Sequence, residues 1–281
     1  MAFKVYWILF ALKVATCSCR ADRKSHDLSR TSHQIKKIAS LPPTIDESSG
    51  LALAKDGTLW THNDSGGDPV LFRINTEGTL LAKWNLPVPN HDWEDLSAGP
   101  GETLFVGDIG NNMQLRKDLV IWRVEPNQDP KGIFYSYADQ SSFPGTTPNF
   151  DCEAFFWYQD SLYLFSKDRS LENTQTKLYV LPDKPGSYSV SPQASFLLDA
   201  QVTAADVSPS GKYFALLTYG KVLIFEIKNQ KITFDYPIMC FRTGRKQTEA
   251  LVFYDEKTLL ISNEQGNLFR LKIDHKKAQK P

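Results

Sequence analysis

The amino-acid sequence predicts an all-β fold, a β-propeller of five four-stranded blades, and three observations predict it. A pattern of acids, an apolar pair and a turn recurs five times. The recurrence distance is roughly 40 to 50 residues, the span of one four-stranded blade. No segment carries a convincing helical period.

The units align on the first apolar residue after the acids: Leu51, Leu96, Phe155, Val207 and Leu251. A second strand is expected from Leu59, Leu104, Leu162, Tyr213 and Leu259, and a third from Val70, Val120, Leu178, Val222 and Leu268. A weaker fourth is expected over Leu80 to Leu86, Ile133 to Tyr137, Ser195 to Leu198 and Ile232 to Ile238. Only the last unit lacks one. The apolar run Ile35 to Leu41 has no other home, and as the outer strand of the last blade it would close the ring and remove two exposed sheet edges. The propeller is therefore expected over residues 35–275, followed by a basic tail, 276–281. Six blades remain an alternative, because Asp139 to Asn149 could hide irregular strands.

A chain of 281 residues with 41% hydrophobic and 12% aromatic content can bury a sizeable core. A formal net charge of +0 gives no global field to gather nucleic acid or an anionic membrane. Basic residues are not interleaved with aromatics along one face, so nucleic acid is not an expected partner. The expected state is a monomer.

At the N-terminus, Lys4 precedes the apolar run Val5 to Leu12, then small residues and Cys17 and Cys19. This reads as a secretory signal over residues 1–20, and the apolar run Val5 to Leu12 is too short to span a bilayer as a helix, which takes about 20 residues. Val14-Ala15-Thr16-Cys17 resembles a bacterial lipoprotein signal, with the lipid on Cys17 or, alternatively, on Cys19; plain secretion is the other reading. Residues 21–34 would be a polar tether. The expected location is outside the cytoplasm, with the membrane touched only through a lipid anchor. Cys152 and Cys240 are placed at the starts of the third and fifth units, which are not neighbours in a five-membered ring. A disulfide needs Cα atoms within about 7 Å, so both are expected to be free thiols. Neither has a Cys or His at metal-ligand spacing, so no zinc site is expected.

Two positions before the alignment residues stand Ser49, Glu94, Glu153, Ala205 and Glu249, and four before stand Glu47, Asp92, Asp151, Thr203 and Gln247. Asp95 and Asp206 directly precede the alignment residue in their units. In a propeller, the connection into each inner strand and the turn between second and third strands open on one face, around the central channel. Those turns add Asp64, Asp108, Lys167 with Asp168, and Glu264. A ring of carboxylates at one mouth needs protons or a cation, and six to eight oxygens are what Ca²⁺ takes. The expected metal ligands are Glu47, Glu94, Glu153, Glu249 and Asp108. The competing reading is that these acids cap turns; capping does not require Glu over the shorter Asp at three equivalent positions.

Bases share that face. His62, Asp64, His91, Asp108, Lys167, Arg242 and Arg245 are the candidate ligand-binding residues, since mixed acids and bases suit a metal-bridged anion such as a phosphate ester. For the arginines the competing reading is a solvated loop, and for His62 a turn hydrogen bond. There is no GxSxG elbow, P-loop or HExxH.

ESSGL, HNDSGG, DWEDL, GDIGNN, DCEAF and TEAL resemble the motif set of a family of secreted and lipoprotein β-propellers of bacteria, over nearly all of Glu47 to Ile273. DCEAFFWYQDSLYLFSKD and TEALVFYDEKTLLISNEQG are more distantly similar to phytase-like propellers, in which such acids and a Lys hold calcium and phosphate. That resemblance implies catalytic candidates at Glu153, Lys167, Glu249 and Glu264. EDLSAGPGETLFVG is similar to the five-bladed calcium-dependent nucleotidases. Unit four departs from the pattern, with Ala205 in place of Glu and no acid in Leu217 to Gly220. The expected function is an exported module that uses calcium to bind a small anionic ligand, a glycan or an extracytoplasmic protein. The alternative is a calcium-dependent hydrolase of phosphate or carboxylic esters.

Overall fold

The computed structural model describes residues 19, 28, 32–170, 174–198, 200–243 and 247–274. Arg245 lies outside the described residues, as do Cys17, most of the N-terminal signal and tether, and the basic tail. No helix occurs among the described residues, so none is long and apolar enough to cross a membrane.

After β1 (Ser32–Ser40), the first blade is β2 (Ser48–Leu53), β3 (Leu59–Asn63), β4 (Val70–Ile74) and β5 (Leu80–Asn85). The second is β6 (Trp93–Ala98), β7 (Leu104–Asp108), β8 (Val120–Val124) and β9 (Lys131–Tyr137). The third is β10 (Asp151–Tyr158), β11 (Ser161–Lys167) and β12 (Gln175–Pro182); β13 (Gly186–Val190) leaves it, and β14 (Ala194–Leu197) completes it. The fourth is β15 (Val202–Val207), β16 (Tyr213–Thr218) and β17 (Lys221–Lys228), then the two-residue β18 (Lys231–Ile232) and the outer β19 (Met239–Arg242). The fifth is β20 (Thr248–Asp255), β21 (Thr258–Asn263) and β22 (Asn267–Asp274), with β1 as its outer strand. Each inner strand contacts the next around the ring, β2 to β6 to β10 to β15 to β20 and back to β2.

Five blades close as the sequence predicts. β1 pairs antiparallel with β22 from Ser32↔Asp274 to Ser40↔Asn267, and Leu41 N–H then donates to the Gly266 carbonyl at 2.7 Å. β1 begins before Ile35, so the end of the expected tether is strand. The 139–149 insert carries no strand. β13 instead pairs in parallel with β9, covering the outer edge of the second blade.

Middle strands are apolar on both faces because each blade is sandwiched between two others. Every residue of β21 (TLLISN) is buried, whereas the outer strand β9 alternates buried Ile133, Tyr135 and Tyr137 with exposed Phe134 and Ser136. Between blades three and four, Phe156, Phe165, Phe214 and Phe225 form an aromatic stack, with Phe214 and Phe225 centroids 4.7 Å apart. Such pairs contribute about 0.5–1.5 kcal/mol beyond area burial.

Two expectations are corrected here. The fourth blade's outer strand is Met239–Arg242, not Ile232 to Ile238, because the chain loops out after β18 before pairing with β17. Cys240 therefore sits on that outer strand rather than at the start of the fifth unit, and it is not a free thiol. It is disulfide-bonded to Cys19, with Cα atoms 5.7 Å apart. Both cysteines and Leu28 pack into the cluster between blades three and four. The bond consumes the Cys19 sulfur, which removes the alternative of lipid attachment there and puts Cys19 within the folded domain. Cys152 is free and buried, as expected.

Each inner strand carries a β-bulge at the same place: Ser48/Gly50, Trp93/Asp95, Cys152/Ala154, Val202/Ala204 and Thr248/Ala250. The residue skipped by the ladder is Ser49, Glu94, Glu153, Thr203 or Glu249. A bulge re-aims the extra side chain, and here it turns three glutamates toward one mouth of the channel. In the fourth unit the skipped residue is Thr203, so the sequence alignment of that unit ran two residues late. Thr203, not Ala205, is the counterpart of Glu153.

Just below the bulges, Asp95 stitches the ring. Its carboxylate accepts N–H groups from Leu96 (2.8 Å), from Phe155 in blade three (3.1 Å) and from Ala205 in blade four (3.2 Å). Removing it orphans buried donors at about 1–3 kcal/mol each. Asp95→Ala is expected to cost several kcal/mol and Asp95→Asn much less, since burial already pushes Asp95 well above the ordinary carboxylate range and favours its neutral form. Chemical denaturation of the two variants checks this.

Candidate metal centre at the channel mouth

Above that stitch the bulges gather the acids. One oxygen each of Asp64, Asp92 and Glu94 lies within 4.8 Å of the others, and Glu94, Asp151 and Glu153 form a second such group. Asp64 follows β3, Asp92 and Glu94 flank the start of β6, and Asp151 and Glu153 open β10. The two groups share Glu94.

They are not equivalent electrostatically. Asp151 accepts Arg169 Nε at 2.7 Å, and Glu153 accepts Arg169 Nη2 at 2.9 Å and the Lys167 ammonium in close contact. Asp64, Asp92 and Glu94 form no salt bridge among the described residues. Glu94 is 5% exposed, and burial, then Glu153, Asp64, Asp151 and Asp92, push it well above the ordinary carboxylate range with no lowering partner. Burial leads in raising Asp64 to about 7 and Asp92 to about 6. A carboxylate kept dry among four others must hold a proton or a cation.

Gly110 leaves room for these groups. A Cβ at that position would overlap Glu94 Oε1 and Asp92 Oδ2. Gly110→Ala is therefore expected to push both carboxylates apart and to weaken any cation bound by Asp64, Asp92 and Glu94 at least tenfold. Calcium titration by calorimetry checks it.

The other expected site residues fall into different surroundings. Asp108 is buried and committed, paired with Arg116 at 2.8 Å and accepting the Asp92 N–H at 3.1 Å and His91 Nδ1 at 3.1 Å. His91 itself stands exposed at the rim, open to a ligand. Glu249 accepts the Tyr219 hydroxyl at 2.7 Å, and Glu264 sits half-buried beside it, both raised chiefly by burial. Glu47 is exposed at the edge, outside both groups of three, and Asp64 N–H donates to its carbonyl at 3.0 Å. His62 is fully buried below the mouth against Trp93, lowered to about 4 by burial, and cannot touch a ligand. Arg242 ends the outer strand β19 opposite Lys221, at the periphery of its blade.

Lys167 is not a free cation awaiting an anion. It is buried against Glu153, donates to Tyr219 Oη at 3.1 Å and lies 4.9 Å from that ring's centroid. Sequence reasoning missed Arg169, Tyr219 and Arg116. Arg169 stood beside Lys167-Asp168, and Tyr219 fills the turn of unit four that lacks an acid.

No protein-family model and no curated protein matches the sequence. Among solved structures, a structural-genomics protein carrying a provisional gluconolactonase name is similar at 12% identity, over 92% of this chain and 97% of that one, with a TM-score of 0.52. A gluconolactonase of Xanthomonas campestris is similar at 11% identity, over 86% and 90%, with a TM-score of 0.50. A PQQ-bound aldose sugar dehydrogenase of Streptomyces coelicolor is similar at 10% identity, over 87% and 99%, with a TM-score of 0.50. The likeness is one of fold. Fold and site together define a five-bladed propeller with a buried acidic cluster that could bind a metal ion at one channel mouth.

Proposed function

We propose that this mouth binds a hard divalent cation, calcium first, through Asp64, Asp92 and Glu94, and presents it to a small anionic ligand. The carrying observation is Glu94, a dry carboxylate among acids with no basic partner. All donors are carboxylate oxygens, which suit calcium, magnesium or manganese rather than zinc. Arg116 supplies positive charge behind the rim, and the exposed His91 imidazole offers a hydrogen-bonding group to an approaching anion. The binding reading is the simpler one, because among the described residues no nucleophile with a dedicated base stands at the mouth. A hydrolase of carboxylic or phosphate esters is the second reading, favoured by Glu249, a buried carboxyl outside both groups of three that burial raises above the ordinary range and that could exchange a proton at the mouth, while a cation held by Asp64, Asp92 and Glu94 would supply Lewis-acid chemistry.

Calcium at 100 times its dissociation constant should stabilise the protein by about 2.7 kcal/mol. Glu94→Gln should abolish that gain while leaving the chelated protein at least as stable as the parent. Equal melting of the parent in calcium and in chelator would sink the reading. Turnover of esters in calcium, lost in Glu94→Gln, would decide for the hydrolase.

The pH dependence has a definite sign. Asp64 and Asp92 are raised in the folded state, so their contribution to stability is full below the unfolded value near 3.8 and is lost as pH rises through about 6 to 7. The chelated protein should therefore be less stable at pH 8 than at pH 5. Calcium must displace the same protons, so its affinity should rise between pH 5 and pH 8. Thermal melts across that range, with and without chelator, check both signs.

We place the protein outside the cytoplasm. The Cys19–Cys240 bond supports this, because disulfides persist in oxidising compartments. A thiol count on protein isolated from its native compartment tests it: three or more free thiols would overturn the placement.

A further inference from the structure

The channel has a second mouth. The far ends of all five inner strands, at Leu53, Ala98, Tyr158, Val207 and Phe253, line one cavity of about 760 Å³, within the range of small-molecule sites. It lies about 20 Å from the acids, one inner-strand length, and the Asp95 stitch stands between the two ends. The lining is mixed: Trp157 and Tyr158 are half-buried aromatics on it, Gln159, Ser208, Asn229 and Gln230 are polar, and Asp206 is its only carboxylate among the described residues.

The bulge register shows why Asp206 is unusual. Three residues past the bulge, blade two has Ser97 and blade four has Asp206. Ser97 Oγ accepts the Trp157 N–H of the next blade at 2.8 Å, and Asp206 Oδ2 accepts the Phe253 N–H of the next blade at 2.7 Å. These two bonds are equivalent, and a hydroxyl suffices for one of them. The charge of Asp206 is therefore surplus to the blade contact, and among the described residues it forms no salt bridge. Trp157 is fixed in place by its indole N–H to Asp183 at 2.8 Å.

We propose that this second mouth binds a small organic cation, an alkylated ammonium, with Asp206 as counter-charge and the half-buried Trp157 and Tyr158 as the aromatic wall. Alkylated ammonium ions combine an apolar surface with a diffuse charge, which aromatic faces and one poorly hydrated carboxylate match. Inorganic cations fit less well, because the described lining offers a single carboxylate, whereas hard divalent cations are usually held by several. The groups that bear on Asp206 are Asp95 along the channel and Lys212 on the cavity lining. Burial raises Asp206 to about 7, so a bound cation should favour its ionised form.

Choline and its neutral isostere 3,3-dimethyl-1-butanol, titrated by calorimetry at constant ionic strength, test the proposal on the full chain. Choline should bind saturably, at least tenfold more tightly than the isostere, and more tightly at pH 8 than at pH 6. Asp206→Ser, which copies Ser97 and keeps the Phe253 bond, should lower choline affinity at least tenfold, about 1.4 kcal/mol or more. Trp157→Leu should lower it as well. Calcium binding at the opposite mouth should stay within twofold in Asp206→Ser, which separates this site from the metal centre. Equal binding of choline and isostere, unchanged choline affinity in Asp206→Ser, or no choline binding to the parent would each overturn it.

Discussion

A chain that begins at Pro43, without β1, should lose its cooperative unfolding transition. β1 is the outer strand of the fifth blade and joins the two ends of the sequence along an antiparallel ladder with β22. Each ladder hydrogen bond contributes about 0.5–1.5 kcal/mol net, and Ala39 and Leu41 add buried apolar surface to the cluster between blades five and one. The summed loss rivals the whole stability of an ordinary domain, about 5–15 kcal/mol. Deletion also bares β22, a long strand whose open edge can pair with another chain. The expected result is aggregation or a broad, probe-dependent melt. A truncated protein that melts like the parent would show that the ring closes without β1.

Lys167→Met should be the most damaging single substitution at the metal centre. Lys167 faces Glu153 and Tyr219 from the end of β11, and Glu249 and Asp151 also hold its charge in place. Breaking a buried ion pair from one side costs about 3–5 kcal/mol, or roughly 10 °C in melting temperature for a chain of this size. Arg169 still pairs with Glu153 and limits the damage. Glu153→Gln added to Lys167→Met should restore a good part of the loss, because the carboxylate left uncompensated is then gone. Melting of the three variants in chelator at pH 7.5 gives the comparison. A single variant as stable as the parent would mean that Lys167 is dispensable to the charge balance.

Sequence position alone predicts a different role for Lys167. A lysine at a turn position where other blades carry Asp64 or Glu264 reads as a cation waiting for an anion. Spacing along the chain cannot reveal that Glu153, fourteen residues earlier, folds back onto it, or that Tyr219 closes over it from blade four. The same limit hid Arg169 and Arg116. Glu47, Glu249 and Asp108 lie outside the two groups of three that Glu94 and Glu153 form with Asp64, Asp92 and Asp151 at the mouth.

By itself the sequence determined the all-β class, the five blades, the closure by the N-terminal strand and the face on which the acids meet. Those features follow from period: a residue type repeated every blade is carried by symmetry to one ring position, and strand alternation fixes which side faces the core. Only the tertiary structure decided the pairings. The bulges set which acids point into the channel and moved unit four by two residues, separating Asp206 from Asp95. The loop after β18 carried Cys240 to the outer strand, where it met Cys19. Side chains distant in sequence select one another by reach and charge in three dimensions, and no one-dimensional spacing encodes that.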